Sequence, residues 1–249
     1  MKVYENVVIG SGYTSVGFAL ANPSTIILEK NQSADVNVYL PLKNFKKLDF
    51  TPSCDCAKEL DQLFSKNGFY KDGMQNTNAL ECAFCEFMLS KNINVLFKST
   101  VVSVTPKKDK FMVTYYTVNG LNTIMAKRVI DMTNGDADQK FLTVLFQTDD
   151  IDIDKNISRA YNCASIEKAF YDNRYALHFK VENELDYNKA LLNFFEVWQK
   201  INTKAKILYV APDFYYNYST PNKIPKDAYF LSPIEALEKG YNFGAKGEN

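Results

Sequence analysis

Few residues in this chain combine types and spacing that could do chemistry. Gly10-Ser11-Gly12-Tyr13-Thr14-Ser15 is a glycine-rich turn after the apolar run Val7-Val8-Ile9, and Glu29 closes a second apolar run, Ile26-Ile27-Leu28. Gly10 permits a sharp strand-to-helix turn. Gly12, without a Cβ, lets backbone approach a phosphate, and a helix N-terminus then offers N–H donors and a positive dipole end. The third fingerprint position is Ser15, small enough for close helix–strand packing. An acid about 20 residues on, at the end of the second strand, can accept hydrogen bonds from ribose hydroxyls. Nucleotide binding is the chemistry these residues predict.

Other reactive groups are sparse. The single histidine, His178, alternates with apolar residues in Tyr175-Ala176-Leu177-His178-Phe179 and reads as a half-buried strand residue, though it is the one imidazole available as a catalytic acid or base. A metal cluster of several histidines is excluded. Cys82 and Cys85 form a CxxC pair on one face of a predicted helix and read as packed thiols. With Cys54 and Cys56 they make a C-x-C…C-x-x-C set that lacks the glycine-rich knuckles of a zinc site, so no metal is expected. Asp149–Asp154 lacks the glycine and closing glutamate of a calcium loop and reads as solvated charge.

The elements that must position these residues follow from periodicity. Val3–Ile9, Thr25–Leu28, Ile93–Phe97, Val101–Val104 and Arg128–Met132 read as strands, and Tyr13–Ala21 as a helix of small residues ended by Pro23. Asn119-Gly120 between Phe111–Val118 and Asn122–Ala126 is a strong hairpin signal. Helices are expected near 56–69, 76–91, 187–202 and 233–241, a long loop over 31–55, strands over 142–146, 175–181 and 207–210, and turns over 212–225. The 249 residues carry 29 basic and 29 acidic side chains, so no nucleic-acid partner is expected. No apolar run reaches the ~18 residues of a membrane span. The cysteines, without a secretory signal, suggest a reducing cytoplasmic setting.

Two stretches in order carry a family resemblance. Gly10 to Ser15 with Glu29-Lys30 resembles the opening of FAD-dependent oxidoreductases of the glutathione-reductase type. Val129-Ile130-Asp131-Met132-Thr133-Asn134-Gly135-Asp136, after a hairpin meander, resembles their second FAD signature. The resemblance implies an α/β FAD/NAD(P)-binding Rossmann-like three-layer fold with a parallel sheet and a β-meander, plus a smaller α+β segment. It implies a FAD-binding domain from 1–138 and 226–249, and a small substrate or cap domain from 139–225. Gly10, Ser11, Gly12, Tyr13, Thr14 and Ser15 would hold the pyrophosphate, and Glu29 and Lys30 would meet the adenosine ribose. Val101 would meet the adenine, and Thr133, Asn134, Gly135 and Asp136 would pass close to the dinucleotide. The implied activity is hydride or electron transfer between bound flavin and a small-molecule substrate.

The chain departs from that pattern at three places. Asn134 separates Thr133 from Gly135, no Gly-Gly follows Glu29, and of the C-terminal glycine–acid motif only a helix-like stretch, Ser232 to Gly244, is similar. These departures support an alternative, a flavoprotein-like fold that has lost FAD and serves as a binding or scaffold protein. An NAD(P)-binding dehydrogenase fits the fingerprint alone. Substrate and oligomeric state have no signature in the sequence.

Overall fold

A computed structural model describes residues 2–34, 50–71, 73–133, 139–149, 157, 160, 165–201, 204–217, 223–230 and 232–247. The first sheet has six strands: β1 (Val3–Ile9), β2 (Thr25–Leu28), β5 (Val95–Leu96), β6 (Thr100–Lys107), β7 (Lys110–Thr117) and β8 (Gly120–Asp131). Their order is β5-β2-β1-β8-β7-β6. β5, β2, β1 and β8 run parallel, and β8, β7 and β6 form the antiparallel meander. A short hairpin, β3 (Tyr70–Lys71) with β4 (Met74–Gln75), lies outside this sheet.

Sequence periodicity divides the region before residue 133 into a hairpin strand ending at Ala126 and a separate strand from Arg128. The structure joins them into the single strand β8. Its Met125 pairs with Met112 of β7 on one side and with Val3 of β1 on the other. Lys127 interrupts the apolar pattern only at a solvent-facing position, where its ammonium meets Glu5 Oε1 of the neighbouring β1 at 2.9 Å, so the backbone ladder continues through it.

Alternate residues of β1 enter different cores. Val8 packs with Ile27 and Ile130 against helices α1 (Tyr13–Ala21), α2 (Asp55–Lys66), α3 (Thr77–Ser90) and α5 (Pro233–Lys246), through Val16, Leu60, Phe84 and Leu237. Val7 points the other way, with Ile26 and Leu28, into a cluster completed by Val113, Tyr115, Ile124 and Ala126 of the meander. Burial on both faces is why the first two strands read as continuous apolar runs.

The second sheet contains β9 (Gln139–Gln147), β10 (Ser165–Lys168), β11 (Arg174–Val181), β12 (Lys206–Val210) and β13 (Tyr215–Asn217). Its order is β10-β11-β9-β12, with β13 also on β9. Its core sets Leu142, Val144, Phe146 and Leu177 against Phe194 of α4 (Tyr187–Trp198), whose N-cap Asp186 accepts from Lys189 N–H at 2.9 Å. Residues 165–168, to which periodicity gave no element, and the turn-prone segment after 212 thus each contribute a strand, β10 and β13. Among the described residues no helix is long and apolar enough to cross a membrane.

Helix α1 is nine residues long and buried along most of its length. A helix so enclosed needs small residues wherever a neighbour's backbone touches it. A Cβ on Gly17 would lie 2.0 Å from Leu237 O of α5, and one on Gly240 would lie 2.0 Å from Thr14 O. These two glycines let α1 and α5 cross backbone to backbone.

Candidate functional site

The turn between β1 and α1 lies at the carboxyl end of the parallel strands, beside the point where the strand order reverses around β1. Open α/β sheets bind ligands there. Gly10 adopts φ +92°, a conformation open to glycine, and donates its N–H to Leu28 O at 2.9 Å. Four hydrogen bonds then converge on Glu29, which is 4% exposed. Ser11 N–H and Ser11 Oγ donate to Oε2 at 2.8 and 2.9 Å, and Asn31 N–H and Nδ2 both donate to Oε1 at 2.8 Å. A carboxylate has about four acceptor positions. Glu29 therefore acts as the brace that ties the glycine turn to the chain after β2.

The helix end is equally engaged. Tyr13 N–H and Thr14 N–H, at the start of α1, donate to Oδ2 and Oδ1 of Asp227 at 2.8 Å each. Asp227 opens a short 3₁₀ turn, Asp227–Tyr229, that leads to α5. A Cβ on Gly12 would stand 1.9 Å from Asp227 Oδ2, so the missing side chain makes room for this carboxylate. Asp227 is the acid that the sequence reading did not recover. Its signal is faint: a single acid ahead of a Pro-led, glycine-containing helix.

Five of the predicted cofactor-binding residues meet around one cleft of about 400 Å³. Gly10, Glu29, Lys30, Val101 and Thr133 line it, together with Ser99, just before β6, and Thr100, its first residue. Its remaining wall comes from the second sheet region, through Asp213 and Tyr216, which sequence reasoning placed in a turn. Burial first, then the Asp213 carboxylate, raises the Tyr216 phenol above its ordinary value. The floor is pinned by backbone bonds: Ser99 N–H donates to Glu29 O and Lys98 N–H to Asn31 O, both at 2.8 Å. Thr133 is held by Asp131, whose Oδ1 accepts from its N–H at 2.9 Å and its Oγ1 at 2.6 Å. Asn134, Gly135 and Asp136 lie outside the described residues.

Ser15 packs as its size suggests, with its Oγ 3.4 Å from Met132 Sδ at the end of β8. His178 does not line the cleft. It is buried in β11, with Nδ1 3.0 Å from Thr143 Oγ1 and its ring 5.7 Å from that of Tyr215. Cys82 is exposed and Cys85 half-buried on α3, while Cys54 Sγ and Cys56 Sγ approach to 3.3 Å at the start of α2. Burial, then the Cys54 thiol, pushes Cys56 up to about 12. Among the described residues no three His, Cys, Asp or Glu side chains gather as a metal site would require, and Cys163 lies outside them.

No protein-family model and no curated protein matches the chain. Solved structures do. The anhydrotetracycline hydroxylase OxyS from Streptomyces rimosus is similar at TM-score 0.60 and 10% identity, covering 98% of this chain and 62% of its own. The aromatic hydroxylase CabE of angucycline biosynthesis gives 0.51 and 10%, over 86% of this chain and 52% of its own. The p-nitrophenol 4-monooxygenase PnpA from Pseudomonas putida DLL-E4 gives 0.51 and 11%, over 84% and 67%. This is the fold of the FAD-binding flavoproteins. The chain spans between about half and two thirds of the length of these structures.

The adenosine and pyrophosphate parts of FAD, the cofactor this fold implies, place different demands on a protein. The cleft suits the adenosine part: its volume is in the small-molecule range of ~300–1,000 Å³, and glycine, valine and threonine leave it open. The pyrophosphate part meets a different situation, because Asp227 holds the amides of Tyr13 and Thr14 and Glu29 holds that of Ser11.

Proposed function

We propose that this chain is a FAD-binding oxidoreductase acting on a small organic molecule, with the adenosine part of the cofactor in the cleft lined by Gly10, Glu29, Lys30, Val101 and Thr133. The observation that carries this reading is the convergence of those five residues, distant in sequence, around one opening beside the N-terminus of α1. The flavin, when bound, would supply two-electron transfer. The chain's own residues bind and orient. Val101 and Thr100 offer a strand edge to the adenine, Lys30 and Glu29 flank the sugar, and Tyr216 with Asp213 closes the cleft from the other sheet. His178, enclosed in β11, takes no part. In this reading residues 139–225 form the substrate or cap unit, and the activity of the longer similar enzymes extends to this chain only as a proposal.

A second reading has its own support. With the acceptor positions of Glu29 filled and the α1 amides held by Asp227, the same fold serves as a binding or scaffold protein without flavin. Protein purified from a flavin-replete host separates the two. Flavin absorbance bands, or uptake of added FAD with quenching of its fluorescence, are expected on the first reading. Colourless protein that fails to take up FAD overturns it.

A further inference from the structure

We infer that Asp227 is the specificity-determining residue of the glycine turn: its carboxylate occupies the two amides that a pyrophosphate needs, so a phosphate-bearing ligand enters only by displacing it, whereas an uncharged adenosine-type nucleoside fills the cleft without doing so. This rests on the reading that the cleft takes the adenosine part of a dinucleotide.

The first N–H groups of a helix have no partner within the helix, which makes them the natural donors to a bound phosphate. In α1 the first intrahelical bond runs from Val16 N–H to Gly12 O at 3.1 Å, which leaves the amides of Tyr13 and Thr14 for an outside acceptor. Asp227 supplies one oxygen to each in a bidentate contact, both at 2.8 Å, and is itself buried. Hydrogen bonds to a charged carboxylate are the stronger kind. The 3₁₀ turn fixes the acid in place, with Tyr229 N–H donating to Lys226 O at 3.0 Å and Phe230 N–H to Asp227 O at 3.2 Å.

Gly12 fits the same assignment. The space that a glycine leaves in a dinucleotide turn is here within 1.9 Å of Asp227 Oδ2. The next amide toward the cleft, that of Ser11, already faces Glu29. A pyrophosphate would thus add its charge beside two carboxylates and compete with both for donors. The cleft lining does not extend to Tyr13, Thr14 or Asp227, so a nucleoside confined to it leaves the capping contact intact.

Calorimetric titration with adenosine, ADP, FAD and inorganic pyrophosphate tests this on the wild type, Asp227→Asn and Asp227→Ser. The asparagine keeps one capping oxygen and the serine keeps a short cap, so α1 retains an acceptor in both, and unfolding curves confirm the fold. Adenosine affinity should stay constant, while ADP and FAD tighten about tenfold or more in both variants, given the strength of hydrogen bonds to charged groups. Pyrophosphate should bind the variants and not the wild type. If wild-type protein binds FAD and both variants bind it equally or more weakly, the inference falls and the flavoprotein reading stands. If the variants gain pyrophosphate while no protein binds adenosine or FAD, the reading falls and the role of Asp227 stands. If no probe binds any of the three proteins, both fall.

Discussion

Glu238 and Ser53 lie 185 residues apart in the chain and meet through two hydrogen bonds, Ser53 N–H to Oε2 at 2.6 Å and Ser53 Oγ to Oε1 at 2.7 Å. Cys54 N–H adds a third, to Oε2 at 3.1 Å. One carboxylate on α5 therefore fastens the segment that starts α2. Burial pushes this carboxyl up, but the hydrogen bonds from Ser53 and Cys54 outweigh it and leave its pKa below the ordinary 4.5. A depressed folded value means that the unfolded chain binds the proton more readily, so the stabilisation is present above pH 4.5 and is lost as the pH falls through the lower folded value. Thermal melts should show a steeper acid-side fall in Tm for wild type than for Glu238→Gln. Parallel curves would refute the assignment.

The crossing of α1 and α5 depends on absent side chains. Gly240→Ala puts a methyl group against Thr14 O, which is backbone and cannot rotate away. Overpacking of this kind costs about 1–3 kcal/mol, occasionally more. Denaturant titration should place the variant at that cost, whereas the exposed Lys239→Ala should stay within about 0.5 kcal/mol.

Glu29→Gln replaces one accepting oxygen by an amide that can only donate. Either Ser11 or Asn31 then faces a donor instead of an acceptor. A loss of about 1–3 kcal/mol in stability is expected. Adenosine affinity should fall with it, because the brace also sets the cleft floor; calorimetry that finds affinity and stability both unchanged would contradict that role.

Tyr216 closes the cleft from the second sheet. Tyr216→Ala should weaken adenosine binding roughly 2- to 10-fold, the range of an aromatic contact. Stability should change little, since the ring is only half-buried. Unchanged affinity by titration would remove Tyr216 from the site.

His178→Ala should do the reverse. The side chain is buried against Thr143 and Tyr215, so Tm should drop while ligand affinity holds. A variant that folds normally but loses ligand would restore a chemical role to the imidazole.

What the sequence made legible follows from how local each signal is. The glycine turn, the small-residue helix and Glu29 fall within thirty residues, and each reports on its neighbours through backbone conformation or strand ending. They resolve into β1, α1 and β2 with the expected bounds. Hydropathy alternation found the meander but cut β8 at Lys127, because a charged residue at a solvent-facing strand position looks the same as a strand end. Asp227 and Tyr216 were illegible for a different reason. Neither has a local pattern, and each acquires its meaning from residues more than a hundred positions away. His178 stood out only by rarity, which says nothing about where a side chain points.

Helix α1 makes its N-terminal contacts across the chain: its first two amides are held by a residue 213 and 214 positions later, and Gly240, set against Thr14 O, lies farther on still. No side chain at its N-cap position, Gly12, closes that end of the helix, so the distant Asp227 supplies the acceptor. Contacts of such long sequence separation are slow to form. Completing the N-terminus of α1 therefore requires the stretch around Asp227, and a chain truncated before residue 227 would leave two amides of that helix without this carboxylate.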